Sequence, residues 1–226
     1  MDIHYLNKNC NLIKNNNKQQ IYISHNKTHL YLYNAFNIKI KIPYGITHVS
    51  LGYHYNKKII LPYGTTHMCF GDLFDKKIKL PINIKYLYIG ANFNKKIKIP
   101  QSVIYLSIGY YFDTKIIFPS NVTTLICGDY FNRKIIIPHN IINLHIKNVR
   151  IKKLKIPLNV KYLYFGNFLN FSDKYKYSTS YSQKKIMYII FGDNTNNKII
   201  IPINVIQLFI GSVYSFIAIT IVKNKN

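Results

Sequence analysis

A period of 19 residues constrains the fold of this chain more than any other feature of its sequence. A glycine recurs at this spacing from Gly52 to Gly128, and the motif FNKKIKIP at 93–100 has close copies one period before and after it. A chain that repeats one short unit is typical of a solenoid, in which each unit is covered by the next. The prolines that mark the period are Pro43, Pro62, Pro81, Pro100, Pro119, Pro138 and Pro157.

Each unit contains two short apolar tracts, for example the one ending at Ile89 and the one ending at Ile99. Apolar residues alternate within each tract, which indicates an extended strand with one buried face. We therefore predict a mainly β fold, a parallel solenoid of about ten coils with little helix. The proline has no amide hydrogen and should end the second tract. The glycine should permit a backbone turn that other residues disfavour.

The period is interrupted once, between Gly166 and Gly192, by seven additional residues. The polar stretch at 171–183 is the predicted insertion. We divide the chain into a polar N-terminal segment and degenerate cap at 1–23, a repeat solenoid at 24–211, and a C-terminal cap and basic tail at 212–226. The apolar residues of the last segment could seal the core or pair with a partner, and sealing is the preferred interpretation.

The combination of Phe93-Asn94 with Ile97 or Ile99 and Pro100 resembles the FNIP repeat, named for Phe-Asn-Ile-Pro. FNIP repeats are similar to leucine-rich repeats and are abundant in social amoebae and in giant DNA viruses of amoebae, often behind an F-box. The polar segment before the first coil shows no F-box, so the resemblance leaves the family's usual link to ubiquitin ligases open for this chain. The resemblance, which covers about 24–211, implies a leucine-rich-repeat-like interaction module and no enzymatic activity.

The acidic residues argue independently against catalysis, because the chain has seven acids, all of them Asp. Five of these follow the glycine or the aromatic residue of a unit, where we expect them to bond local backbone amides as turn residues. Only Asp2 and Asp173 are unexplained, and general acid–base chemistry or a hard-metal site usually needs a carboxylate pair. We predict no enzyme, no catalytic residue and no cofactor.

His29, His48 and His67 share one position in successive units, so they could approach each other closely enough to share a metal. Later units place other residue types there, including Tyr86 and Thr124. A position that accepts such different side chains is better interpreted as an exposed slot than as a ligand cage, so no metal site is predicted.

The outward positions of the first tract contain a group of tyrosines. Aromatic residues are favoured at protein interfaces, although they can also stack on nucleic-acid bases or simply reflect strand propensity. We predict a non-enzymatic scaffold for protein–protein interaction that binds through the exposed face of the stacked first strands. The candidate partner-binding residues are Tyr86, Tyr88, Tyr105, Tyr162, Tyr164 and Tyr188.

A lysine stands four residues before the proline in every unit, and the net charge of the chain is +24. On a solenoid these lysines form a basic ridge, which could bind a polyanion nonspecifically, either single-stranded nucleic acid or an anionic membrane. A solvated ridge that prevents aggregation is the simpler alternative. The ridge consists of Lys39, Lys58, Lys77, Lys96, Lys115, Lys134, Lys153 and Lys198.

The three cysteines are far apart in the sequence, which favours a reducing compartment over a disulfide framework. The N-terminus lacks the apolar core of a signal peptide, and the apolar run at 213–222 is too short to span a membrane. We expect a soluble, monomeric, cytoplasmic protein, in the host cytoplasm if it is viral. Its partner is unknown, and an acidic protein would complement its charge.

Overall fold

The computed structural model describes residues 10–16, 19–112, 114–128, 136–147, 156–165, 179–180, 186–191, 198–201, 207–210 and 217–222. These residues contain strands and no helix, so the predicted mainly β fold is confirmed. The described part contains no helix that could cross a membrane. Two compact units are present, Met1–Asn121 and Val122–Asn226.

The described residues of the first unit form seven strands, and its core is a ladder of parallel strands that follow one another in sequence. Residues one period apart pair in register, for example His29 with His48 and Leu87 with Leu106. The middle residue of each short strand is buried, as Met68 is at 0% exposure. The predicted parallel solenoid of 19-residue coils is confirmed. The strands are β1 (Cys10–Asn16), β2 (Gln19–Ser24), β3 (His29–Leu32), β4 (His48–Ser50), β5 (His67–Cys69), β6 (Tyr86–Tyr88) and β7 (Tyr105–Ser107).

The beginning of this ladder is covered by an antiparallel hairpin. Strand β2 pairs antiparallel with β3, and β1 pairs antiparallel with β2. The hairpin occupies the hydrogen-bonding edge of β3, which would otherwise be available to another chain.

The second unit begins with the parallel strands β8, β9 and β10, and β14 is paired next to β10. Strand β12 instead lies in a separate antiparallel sheet between β13 and β15. The expectation that Tyr188 of β12 continues the column of outward tyrosines is therefore wrong, because β14 occupies the place beside β10. The strands are β8 (Thr124–Cys127), β9 (Asn143–Ile146), β10 (Tyr162–Phe165), β11 (Thr179–Ser180), β12 (Ile186–Phe191), β13 (Lys198–Ile201), β14 (Gln207–Ile210) and β15 (Ile217–Val222).

The second tract of each coil in the first unit is not a strand, although its burial alternates. Ile59 and Leu61 are buried, whereas Ile60 between them is 89% exposed. Alternating burial requires only an extended backbone and does not require ladder hydrogen bonds. The sequence pattern therefore could not distinguish a hydrogen-bonded strand from an extended segment without such bonds. The proline ends this tract as predicted, and the carbonyl oxygen of Pro62 accepts a hydrogen bond from the Thr65 amide at 3.1 Å in a turn.

A continuous stack of aromatic rings fills the core of the first unit. The ring centroids of Phe74 and Phe93 are 6.1 Å apart, and those of Phe93 and Phe112 are 6.4 Å apart. The stack begins with Phe36 and Tyr55, and all five rings are at most 1% exposed. This arrangement explains the aromatic residue that opens each repeat, because large rings contribute much of the buried apolar area of a core.

The glycine column has a different role from the predicted one. A Cβ at Gly71, Gly90 or Gly109 would collide with the carbonyl oxygen of the glycine one coil earlier. None of these residues has a positive φ, whereas Gly45 does. Glycine is required here because two backbones approach closely, so the expected turn conformation is wrong.

The Asn or Asp after each aromatic residue connects neighbouring coils. Asn56 Oδ1 accepts a hydrogen bond from the Asp75 amide, and Asp75 Oδ1 accepts one from the Asn94 amide, each at 3.0 Å. Both bonds span 19 residues. The expectation of local turn bonds is therefore wrong for Asp75, and also for Asp72, whose Oδ1 accepts a hydrogen bond from the Ala91 amide 19 residues away.

Candidate interaction surfaces

The outward side chains of β3 to β7 form two adjacent columns, which we call the strand face. The first column is a stack of rings. The centroids of His29 and His48 are 3.9 Å apart, and those of His48 and His67 are 3.8 Å apart. Tyr86 continues the stack at 4.3 Å from His67. In-register parallel pairing places equivalent side chains about 4.8 Å apart, which favours this stacking. The strand face comprises His29, His48, His67, Tyr86 and Tyr105 in the first column and Tyr31, Ser50, Cys69, Tyr88 and Ser107 in the second, of which Tyr31 at the start of the ladder is buried.

The three histidines are arranged as packed side chains rather than as metal ligands. Each Nδ1 is 2.8 Å from the hydroxyl of the preceding threonine, as His48 is from Thr47. Parallel stacked rings direct their nitrogens side by side and not towards one point. Among the residues whose side chains are described, no group of three or more His, Cys, Asp or Glu could hold a metal ion.

Burial keeps this histidine stack uncharged at neutral pH. Burial, with smaller contributions from the neighbouring His67 and His29, lowers the pKa of His48 to about 4. Burial also lowers the pKa of His29, and burial with the nearby His29 and Lys85 lowers that of His67. The first three rings of the column therefore present a neutral aromatic surface.

Three of the six predicted tyrosines meet on the strand face of the first unit. The rings of Tyr88 and Tyr105 are 4.9 Å apart, and those of Tyr86 and Tyr105 are 6.1 Å apart. Tyr88 is 39% exposed. Burial, with smaller contributions from the neighbouring Tyr88 as an electrostatic and hydrogen-bond partner, raises the pKa of Tyr105.

The other predicted tyrosines lie in the second unit. Tyr162 and Tyr164 lie on β10, where the ring of Tyr164 is 5.8 Å from that of His145. Burial, with Tyr162 as a neighbour, raises the pKa of Tyr164. Tyr188 lies on β12, which belongs to a different sheet from the strands that carry the other five tyrosines.

Five of the eight ridge lysines have described side chains. All five are exposed, and they occupy the same position in five successive coils of the first unit. Lys198 lies on β13, and Lys134 and Lys153 lie outside the described residues. The five described members are Lys39, Lys58, Lys77, Lys96 and Lys115.

One lysine beside the ridge forms an ion pair between coils. Lys95 Nζ lies 2.6 Å from Asp75 Oδ2. Burial would raise the pKa of Asp75, but the hydrogen bonds from Lys95 and from the Asn94 amide, with the charges of Lys95 and Lys76, outweigh it and lower this pKa. Asp75, whose side chain links neighbouring coils, is thus already paired with a lysine.

Sequence reasoning missed a set of exposed apolar side chains next to the ridge. Ile60, Ile82 and Ile117 are 89%, 63% and 82% exposed, and Tyr44 and Tyr63 are 97% and 68% exposed. Ile60 and Ile117 stand two residues before a proline, and the other three stand one residue after a proline. For Ile60 and Ile117 the signal was present in the outward position of the second tract, where isoleucine replaces the lysine of other coils.

The comparisons with known proteins agree with this geometry. Residues 74–111 match the family model described as FNIP Repeat. No curated protein matches the chain significantly. Among solved structures, the giant-virus protein CroV588, described as a novel circular LRR protein, is similar with a TM-score of 0.54 and 29% sequence identity. The match covers 69% of this chain and 25% of that chain.

Repeats of this family and solenoids of this fold commonly serve as scaffolds for protein interaction and are typically not enzymes. The predicted resemblance is confirmed by the FNIP Repeat match at 74–111, and the described part of the chain forms a leucine-rich-repeat-like parallel solenoid.

Proposed function

We propose that this protein is a non-enzymatic scaffold that binds another protein through the strand face of its first unit. The observation that supports this function is the absence of charge from both outward columns of β3 to β7 at neutral pH. These ten residues include no lysine, arginine or acid, although the chain carries a net charge of +24. The cores of protein interfaces are likewise depleted of charged residues and enriched in tyrosine.

The stacking of the rings also supports binding. His48 lies between His29 and His67 with both interplanar angles below 20°, at 15° and 17°. Side chains that are already held by their neighbours lose little conformational entropy when a partner covers them. The partly exposed Tyr88 beside Tyr105 supplies aromatic area of the kind found at binding hot spots.

The test is affinity purification from the native cell with mass spectrometry, followed by titration of a captured protein with the purified chain. We expect the triple variant Tyr86→Ser/Tyr88→Ser/Tyr105→Ser to lose the captured protein. The matched control, Tyr33→Ser/Tyr53→Ser/Tyr111→Ser, replaces three exposed tyrosines that lie elsewhere and should retain it.

A single variant separates lost binding from lost folding. Tyr88→Lys introduces a charge at a partly exposed position of the strand face and should weaken binding without changing the melting temperature. A captured protein that binds this variant and the triple variant as tightly as the parent would contradict the proposal. Recovery of nucleic acid alone would contradict it as well.

A second candidate function is nonspecific binding of polyanions through the lysine ridge. The specific observation in its favour is the exposure of the same lysine in five successive coils. Such binding depends on release of counterions and weakens steeply with salt. Binding of single-stranded nucleic acid or anionic vesicles that persists unchanged in half-molar salt would exclude this mechanism.

We place this activity in the cytoplasm, or in the host cytoplasm if the chain is viral, and we expect a monomer. The two cysteines with described side chains, Cys69 and Cys127, are free. Burial raises the pKa of Cys127 to about 12, and burial is also the main cause of the raised pKa of Cys69. Both thiols are therefore protonated at neutral pH, and the buried Cys127 is unreactive, which is compatible with a reducing compartment.

A further inference from the structure

The outer side of the second tracts in the first unit carries lysines and apolar residues together. We call this surface the outer face and define it by the residues four and two before, and one after, each proline from Pro43 to Pro119. All fifteen are exposed. They comprise eight lysines, five apolar residues, two neutral polar residues and no acid, namely Lys39, Lys41, Tyr44, Lys58, Ile60, Tyr63, Lys77, Lys79, Ile82, Lys96, Lys98, Gln101, Lys115, Ile117 and Ser120.

These residues are close enough to act as one surface. The positions four and two before the proline lie on the same side of an extended tract, about 7 Å apart, and neighbouring coils are spaced at about 4.8 Å. The five coils therefore cover about 20 Å along the stack. The paired Asp75 lies outside these columns and forms its ion pair with Lys95, so it does not neutralise the outer face.

We propose that the outer face docks on an anionic phospholipid bilayer, with its lysines at the headgroups and its isoleucines and tyrosines in the interfacial layer. The proposal rests on the second candidate function and specifies its ligand. Lysines near an anionic leaflet each add to binding, and apolar side chains on a basic surface increase it by entering the interface. Tyrosine is favoured at this depth of the membrane.

The three isoleucines of the outer face distinguish this ligand from the alternatives. Ile60, Ile82 and Ile117 offer no ring on which a base could stack, so a nucleic-acid site would leave them exposed. A second copy of the chain would bring eight lysines against eight lysines with no acid between them. A lipid surface requires no complementary shape and accommodates side chains spread over five coils.

The test is co-sedimentation of the 226-residue chain with vesicles of phosphatidylcholine alone and with vesicles of equal parts phosphatidylcholine and phosphatidylserine. We expect binding only to the second kind. Lys58→Gln/Lys77→Gln/Lys96→Gln should weaken it by about fivefold per lysine, or roughly a hundredfold in total. Ile60→Thr/Ile82→Thr/Ile117→Thr should weaken it by about tenfold, because three partly inserted apolar side chains are lost.

Single-stranded oligonucleotide binding is measured with the same variants and separates the possible outcomes. The isoleucine variant should bind the oligonucleotide as the parent does, and the control Tyr53→Ser/Tyr111→Ser should bind vesicles as the parent does. If the isoleucine variant binds anionic vesicles as tightly as the parent does, the proposed insertion of apolar side chains into the membrane is wrong. Electrostatic binding of polyanions by the lysine ridge would not be contradicted by that result. If the parent binds neither vesicles nor oligonucleotide, both the proposal and the second candidate function are wrong.

Discussion

At the scale of single residues, the glycine column determines how closely two coils can approach. A Cβ added to Gly90 would meet the carbonyl oxygen of Gly71, which belongs to the backbone and cannot rotate away. Overpacking of this kind typically costs 1–3 kcal/mol, so we expect Gly90→Ala to lower the free energy of unfolding by about 3 kcal/mol. Urea-induced unfolding followed by circular dichroism measures this difference.

Gly64 provides the matched control for this substitution. A Cβ at Gly64 has no other heavy atom within 4 Å, and its φ is not positive. Gly64→Ala should therefore change the free energy of unfolding by less than about 1 kcal/mol, and the sign could be stabilising because alanine restricts the unfolded chain. Equal effects of the two substitutions would show that close approach of the coils is not what requires glycine.

The sequence could identify these positions but not the interaction made at each of them. A period of 19 residues marked Gly90 and Asp75 as repeat positions, and it marked Phe93 as core. Glycine serves equally for a positive φ and for a close approach, and Asp serves equally for a local turn and for a bond between coils. Only the distance between adjacent coils decides these cases, and that distance is a tertiary property.

At the scale of strands, the histidine stack makes the pairing of β3, β4 and β5 sensitive to acid. The pKa of His48 is about 4 in the folded protein, compared with the ordinary histidine value of 6.5 that applies to the unfolded chain. As the pH falls, His48 of the unfolded chain therefore binds a proton before His48 of the folded protein does. The stability contributed by the neutral His48 is fully present above pH 6.5 and is lost as the pH decreases towards 4. We expect a loss of about 1–2 kcal/mol over this range, less than the full shift implies, because these side chains are partly solvated.

The measurement is the free energy of unfolding at several pH values for the parent and for His48→Tyr. Tyrosine occupies the same position at Tyr86, where it stacks on His67, so the variant should keep the stack and lose its titration. Its stability should depend less on pH between 6.5 and 4. Identical pH dependence in the two proteins would assign the acid sensitivity to groups outside the stack.

The order of the strands could be predicted only in part. Register within β3 to β7 follows from the period, because each coil adds the same number of residues before the next strand. The insertion at 171–183 removes this constraint, and β14 rather than β12 then pairs with β10. The 19-residue spacing resumes at Gly192 in the sequence, but the spacing could not determine which later strand would pair with β10.

The candidate surfaces show the same division between what was and was not predictable. The columns containing Tyr86 and Lys77 followed from the repeat, because every unit places its outward residues at the same offsets. The neutrality of the histidines and the exposure of Ile60 could not be predicted from the repeat, since both depend on how neighbouring coils cover a side chain.

At the scale of the whole molecule, the net charge of +24 opposes the compact state. Lysines at equivalent positions in adjacent coils repel by about 0.9 kcal/mol in water at a separation of one coil. Physiological salt reduces this repulsion to roughly half. The chain should therefore become more stable, and its melting temperature should rise, as sodium chloride increases from a few millimolar to physiological concentration.

Lys77 tests whether the ridge itself causes this salt dependence. It lies between Lys58 and Lys96, so Lys77→Gln removes two of the repulsive contacts between neighbouring coils. Its melting temperature should rise less with salt than that of the parent or of the control Lys27→Gln, which removes one exposed charge away from the ridge. The same salt dependence in both variants would mean that the ridge side chains spread apart and hardly repel. The ridge lysines would then not destabilise the fold, so a bound anion would have no repulsion to relieve. Their electrostatic effect would be limited to attracting an anionic surface.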